Sequence, residues 1–127
     1  MRTGQFTILC VDDDQDLLLA LTALLEYAGY RVICAPSAEK GRRAFEEIKP
    51  DLVIIDLMME EIDSGKDLVA DLHAQAPSVP LYLLSSVADE LAGQADFRAF
   101  GLSGVFQKPI NPDALLETLR KKLKPAE

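Results

Sequence analysis

Six polar side chains stand where apolar stretches of the sequence stop. Asp12 and Asp13 follow the run Phe6 to Val11, and Asp56 follows Leu52 to Ile55. Ser85 and Ser86 follow Val79 to Leu84, while Lys108, with Pro109 behind it, follows the short run Val105 and Phe106. Singly, each has an ordinary structural explanation. Asp13 or Asp14 can cap the next helix, Ser85 can bond nearby backbone, and Lys108 can be a solvated charge. Together they carry more, because carboxylates gathered at the ends of neighbouring buried strands repel one another and raise their own pKa values unless a cation sits among them. An all-oxygen set of ligands suits Mg²⁺, which keeps several waters and often bridges to phosphate. With that charge offset, the Asp56 carboxylate can act as a nucleophile toward phosphorus and form an acyl phosphate. Ser85 and Lys108 would then serve the phosphoryl oxygens as a hydroxyl donor and a fixed positive charge.

The elements that must position these groups are legible as an alternation. Apolar runs rich in β-branched residues, Phe6–Val11, Arg31–Ala35, Leu52–Ile55, Val79–Leu84 and Val105–Phe106, alternate with segments of helical period. Leu17, Leu18, Leu21, Leu24, Leu25 and Ala28 form the first helical stripe, stopped by Gly29. Ser37 is placed as the N-cap of the second helix, whose stripe is Gly41, Ala44, Phe45 and Ile48, before Pro50 forbids continuation. Leu68, Val69 and Leu72 share a face of the third, and Leu91, Ala92, Ala95 and Ala99 carry a further helix that Gly101 stops. The last opens with Asn111 as N-cap and Pro112 at its first position, then buries Leu115, Leu116, Leu119 and Leu123. Leu52 to Ile55 has no polar interruption, as expected of a central parallel strand covered on both faces. Short connections imply right-handed crossovers, hence an α/β fold with a parallel sheet and helices on both faces. Ligands of such sheets bind at the carboxyl ends of the strands, where all the candidate residues fall.

Bulk properties narrow the function classes. A chain of 127 residues, 49% of them apolar, has the size of one domain, here taken as 1–127 with a core of about 6–123. Acidic residues outnumber basic ones by 21 to 13, so electrostatics offers no general reason to bind nucleic acid. No stretch approaches the roughly 18 apolar residues of a membrane span, and the start lacks the build of a signal peptide; a cytoplasmic protein is expected. Cys10 and Cys34 lie in strand-like runs without metal-ligand spacing and are expected to be two buried thiols, a disulfide being the alternative that the expected reducing compartment disfavours.

On Ile8-Leu9-Cys10-Val11-Asp12-Asp13, Asp51-Leu52-Val53-Ile54-Ile55-Asp56, Leu83-Leu84-Ser85 and Lys108-Pro109, the chain resembles the response-regulator receiver domains of two-component signalling. None of these segments is specific alone; their order and spacing from about Phe6 to Leu123 are. The resemblance implies a flavodoxin-like sheet of order 2-1-3-4-5. It implies Asp56 as phosphoacceptor, with Ser85 and Lys108 on the phosphoryl group. It also implies Mg²⁺ held by Asp13 directly, by Asp12 through water, by Asp56 and by the Met58 carbonyl. The implied donor is a phosphohistidine on a sensor histidine kinase or phosphotransfer protein, so His73, read as a surface residue, is not required. The Lys108–Pro109 peptide is expected to be cis. A downstream protein target is implied, and a phosphorylation-dependent homodimer is left open. If the chain is complete it signals by docking, as chemotaxis-type receivers do; otherwise an output domain is missing.

The chain departs from the family pattern in three places. Glu60 stands where the family has Pro, and Gly65 arrives one residue late, so the loop loses a φ constraint and gains charge from Glu60, Glu61 and Asp63. Phosphorylation should survive this. The aromatic that receivers often carry three residues before the strand-five Lys is Val105 here, and Phe106 must point to the opposite face, so a weaker or different coupling to Ser85 is expected. Met58 and Val87 occupy the two positions that influence hydrolysis of the acyl phosphate; neither has a polar side chain, so a long-lived phosphorylated state is expected. The competing readings are a receiver-like scaffold that works without phosphorylation and an Asp-nucleophile phosphatase. The second lacks its acid/base Asp, since Met58 stands two residues after Asp56.

Overall fold

The computed structural model describes residues 6–56, 64–85, 102–108 and 110–123. Five strands, β1 (Thr7–Val11), β2 (Arg31–Ala35), β3 (Leu52–Asp56), β4 (Leu81–Ser85) and β5 (Gly104–Gln107), form one sheet in the order β2-β1-β3-β4-β5. Every neighbouring pair is parallel, with Val11 opposite Ala35 and Ile55, and Asp56 opposite Leu84. The order reverses between β1 and β3, where the resemblance placed it.

Side-chain alternation along the strands divides the core in two. Leu9, Val11, Val53, Ile55, Leu81 and Leu83 pack on one face with Phe45 of α2 (Ala38–Ile48) and Leu68, Val69 and Leu72 of α3 (Ser64–Gln75). Ile8, Cys10, Leu52, Ile54, Tyr82 and Leu84 pack on the other. There they meet Leu18, Leu21 and Leu25 of α1 (Gln15–Tyr27) and Leu115 and Leu119 of the C-terminal helix, here α4 (Pro112–Lys122). Val105 and Phe106 fall on opposite faces as alternation requires, and the Phe106 ring stacks on Tyr82 with centroids 5.1 Å apart. Tyr82 also presses on Gly104, where a Cβ would come within 2.9 Å of the ring, so β5 needs Gly at that position.

The helix ends follow local chemistry. Asp14, Ser37 and Asn111 each accept backbone N–H groups as N-caps, and Pro112 follows Asn111 at the first turn of α4. Gly29 takes the left-handed backbone, φ 101°, just after the Ala28 cap of α1.

Several expectations are corrected. β4 starts at Leu81 rather than Val79, because Pro80 has no N–H to give the ladder, although its carbonyl accepts from Val53 at 3.0 Å. Ala28 is exposed at the helix cap, and Ile48, at the last position of α2, is 37% exposed, so neither joins its stripe. Cys10 is buried but Cys34 is exposed, because β2 is an edge strand with only β1 beside it. His73 is half-buried rather than a surface residue, with its Nδ1 enclosed. Met58, Glu60, Glu61, Asp63, Val87, Pro109 and the segment carrying Leu91, Ala92, Ala95, Ala99 and Gly101 lie outside the described residues.

Candidate functional site

The carboxyl rim of the sheet starts at β1. The Asp12 N–H donates to the Ala35 carbonyl at 3.1 Å, extending the β1–β2 ladder one residue past the strand, and Asp12 is 1% exposed. The chain then turns: the Asp14 N–H donates to Asp12 Oδ1 at 2.9 Å, an aspartate bonding the backbone two residues on. The Asp14 carboxylate accepts from the N–H groups of Asp16 and Leu17 at 3.0 and 3.2 Å and is thereby committed to capping α1. Asp14 is therefore the cap, and Asp13 stays exposed beside the rim.

β3, buried along its whole length, delivers Asp56 at its last position, 3% exposed. Ser85 ends β4 one residue beyond the Leu84 that pairs with Asp56, and is likewise buried. The Lys108 N–H donates to the Ser85 carbonyl at 2.7 Å, so the lysine leaves β5 beside the serine. Its ammonium reaches back across the rim, with Nζ 3.0 Å from Asp56 Oδ1 and 3.7 Å from Asp12 Oδ2. The structure thus brings Asp12, Asp13, Asp56 and Lys108 into one cluster with Ser85 on the adjoining strand end; Met58 lies outside the described residues.

Electrostatics at the rim is unfavourable in a specific way. Burial pushes the Asp56 carboxyl up to about 6; the Lys108 hydrogen bond works against this and the Asp12 charge adds to it. Asp12 is also raised, first by burial, against the backbone bond from Asp14 and the charge of Lys108. Burial would lower Lys108, but the hydrogen bond to Asp56 and the charges of Asp12 and Asp56 outweigh it, and the ammonium is held more firmly than usual. Among the described residues one ammonium faces three carboxylates, which leaves the cluster negative when all are ionised.

The cluster fits a hard divalent cation. One carboxylate oxygen from each of Asp12, Asp13 and Asp56 lies within 4.8 Å of the others. Oxygens bound to one Mg²⁺ at about 2.1 Å stand about 3–4 Å apart, a modest contraction of that spacing. Among the described residues Asp12 Oδ2 is buried with no hydrogen-bond partner and has only the more distant Lys108 ammonium, at 3.7 Å, which is costly for an ionised oxygen unless a closer cation meets it.

The pairing of Lys108 with both Asp56 and Asp12 was not foreseen, since the lysine was assigned to phosphoryl oxygens alone. The signal for it was present: a single cation ends β5 on a rim that otherwise carries carboxylates and hydroxyls.

Comparison with known proteins agrees with this geometry. The family model of the response regulator receiver domain matches residues 8–120. The chain is 36% identical over 115 residues to the transcriptional regulatory protein GlrR of Escherichia coli, covering 88% of this chain and 25% of that protein. It is 30% identical to the alkaline phosphatase synthesis transcriptional regulatory protein PhoP of Bacillus subtilis, covering 83% of this chain and 43% of that one. The chain therefore spans about a quarter to a half of the length of these curated relatives. Among solved structures it is similar to a response regulator receiver domain protein from Clostridium thermocellum, with TM-score 0.84, 25% identity, and 93% and 94% of the two chains covered. It is also similar to the chemotaxis response regulator CheY4 of Vibrio cholerae, with TM-score 0.83, 26% identity, and 94% and 100% covered. With the sheet order, the acidic cluster and the strand-five lysine all in agreement, the chain belongs to the response regulator receiver domains of two-component signalling.

Proposed function

We propose that the protein is a phosphorylation-controlled signalling module whose acceptor is Asp56. The observation that carries this reading is the meeting of Asp12, Asp13 and Asp56 oxygens within 4.8 Å, with Lys108 Nζ 3.0 Å from Asp56. The donor is a phosphohistidine on a sensor histidine kinase or phosphotransfer protein. An Asp56 carboxylate oxygen attacks phosphorus, the N–P bond breaks, and the imidazole nitrogen leaves with the bonding pair and is then protonated. Burial at a strand end holds that oxygen in one orientation, and a carboxylate raised by desolvation is the more nucleophilic for it. Lys108 trades its contact with the carboxylate for the phosphoryl oxygens, and Ser85 serves them as a hydroxyl donor. Asp12, Asp13 and Asp56 would hold Mg²⁺, with the Met58 carbonyl as a further ligand; the ion offsets the negative charge of the acceptor and the incoming group. The read-out passes to a downstream protein target. With Val105 on the α2/α3 face and Phe106 stacked on Tyr82 on the other, that read-out does not use the usual aromatic rotation at position 105.

The test is mass measurement after exposure of the protein and Asp56→Ala to acetyl phosphate, with and without Mg²⁺. A single phosphoryl adduct on the parent, dependent on Mg²⁺ and absent from the variant, is expected. No adduct together with no Mg²⁺ binding would replace this reading with that of a phosphorylation-independent scaffold.

A further inference from the structure

The two cysteines stand apart from the phosphoryl site, and the sheet sets them side by side. Cys10 of β1 and Cys34 of β2 are partners in register. Both point to the α1 face: Cys10 packs with Leu18, Leu21 and Leu25, and Cys34 Sγ lies 3.1 Å from Thr22 Oγ1 on the same helix. The Thr22 hydroxyl has one hydrogen and donates it to the Leu18 carbonyl at 2.7 Å, so the Cys34 thiol is the donor in its contact with Thr22. That bond keeps the sulfur on the side of the strand where Cys10 lies. Their accessibilities are opposite. Cys10 is fully buried, whereas Cys34 is exposed and lines a cavity of 290 Å³ with Leu18, Leu19, Thr22 and Pro36, roomy enough for a small oxidant.

We propose that Cys10 and Cys34 form a reversible disulfide on exposure to a peroxide, making the pair a modification site that ties β2 to β1. Accessibility fixes the order. The Cys34 sulfur attacks the peroxide O–O bond and becomes a sulfenic acid, and the other oxygen leaves with the thiol proton as water. The Cys10 sulfur then attacks the Cys34 sulfur, the S–O bond breaks, and the hydroxyl leaves with the Cys10 proton as a second water. Two thiols give up two electrons and one peroxide is reduced. The buried second thiol makes the second step the slow one. Adjacent strands stand about 4.8 Å apart, within the Cα range of disulfides, but in-register side chains stay about that far apart at Cβ, against a disulfide mean of about 3.8 Å. Closing the bond therefore tilts the strands toward each other, and a strained disulfide is readily reduced. Two residues beyond Cys10 stands Asp12, anchored by its N–H to the carbonyl of Ala35, the residue after Cys34. The bridge therefore lies directly below the rim.

The experiment treats the whole protein with hydrogen peroxide and reads intact mass without reductant, a readout that needs no phosphorylation. The parent is expected to lose two hydrogens as a monomer and regain them in dithiothreitol, while Cys34→Ser shows complete loss of the change. Cys10→Ser is expected to stop at one added oxygen, trapped by dimedone; should that core variant not fold, the parent against Cys34→Ser decides. A parent that gains oxygen without losing hydrogens, or that links to a second copy through Cys34, overturns the proposal.

Discussion

Ile54 and Asp56 stand two residues apart on one strand, on the same side of the sheet by alternation, and both are almost wholly buried. Around Ile54 the environment is apolar: Cys10 and Tyr82 flank it in register, and the α1 and α4 leucines cover it. Around Asp56, among the described residues, stand two further carboxylates and a single ammonium. A strand that runs from the first environment into the second in about 7 Å lends the rigidity of a close-packed core to a group that gains nothing from burial. The sheet holds the Asp56 carboxylate in place at the cost of leaving its charge under-compensated, and it is this poise that a cation can relieve.

The largest effects should separate the two residues cleanly. Asp56→Ala is expected to abolish the phosphoryl adduct altogether while the protein stays folded. Ile54→Ala should lower the unfolding free energy by about 2–5 kcal/mol through lost transfer energy and a residual cavity, yet the folded fraction should still take up phosphate. Urea unfolding beside adduct mass makes the comparison. An Ile54→Ala protein that is folded but inert would show that the two environments are not separable.

Next in size is the dependence on pH in the absence of divalent ions. An acid raised to about 6 in the folded protein, against an ordinary 3.8, binds its proton more tightly when folded. Its cost is absent below 3.8, grows as pH rises toward 6 and is complete above that, reaching about 3 kcal/mol. Relative to Asp56→Asn, which does not titrate there, the metal-free parent should lose stability between pH 4 and 7 by about that amount. Saturating Mg²⁺ should flatten the difference. A difference that stays constant across the window would mean that Lys108 alone already compensates the Asp56 carboxylate.

Much of this was legible in the sequence. Alternating runs gave the strands and their parallel arrangement, and the unbroken Leu52–Ile55 marked the central one, because a strand covered on both faces has no polar position to spare. The gathering of Asp12, Asp13, Asp56, Ser85 and Lys108 on one rim was legible because each ends a strand or follows one directly. What escaped depended on neighbours that one-dimensional pattern does not name. Cys34 reads as core, being in an apolar run, but its strand lies at the sheet edge and its sulfur is accessible beside Thr22. Ile48 keeps the helical period yet falls on the last turn, where the sheet no longer covers it. Lys108 was assigned to the phosphoryl group, but its pairing with Asp56 and Asp12 depends on how far a lysine at the end of β5 reaches across β4, which spacing alone does not measure.

The finest version of the comparison lies between adjacent residues. Asp13 and Asp14 are both exposed acids in the turn after β1, but Asp14 spends its carboxylate on two N–H groups of α1, whereas an oxygen of Asp13 faces Asp12 and Asp56. At a Mg²⁺ concentration of about 100 times its dissociation constant, binding stabilises the fold by about 2.7 kcal/mol, and Asp13→Ala should forfeit most of that while leaving the metal-free protein nearly unchanged. Asp14→Ala should do the reverse, costing about 1 kcal/mol of stability with or without the ion, because the orphaned N–H groups of the first turn lose their acceptor. The effect of Asp14→Ala on adduct formation should be small, since the Asp12 carboxylate is held by the backbone N–H of residue 14, which alanine also has. Thermal unfolding of the two variants at several Mg²⁺ concentrations checks both. If Asp14→Ala instead made stability insensitive to Mg²⁺, the turn, rather than the Asp13 side chain, would be the part of this segment on which metal binding depends.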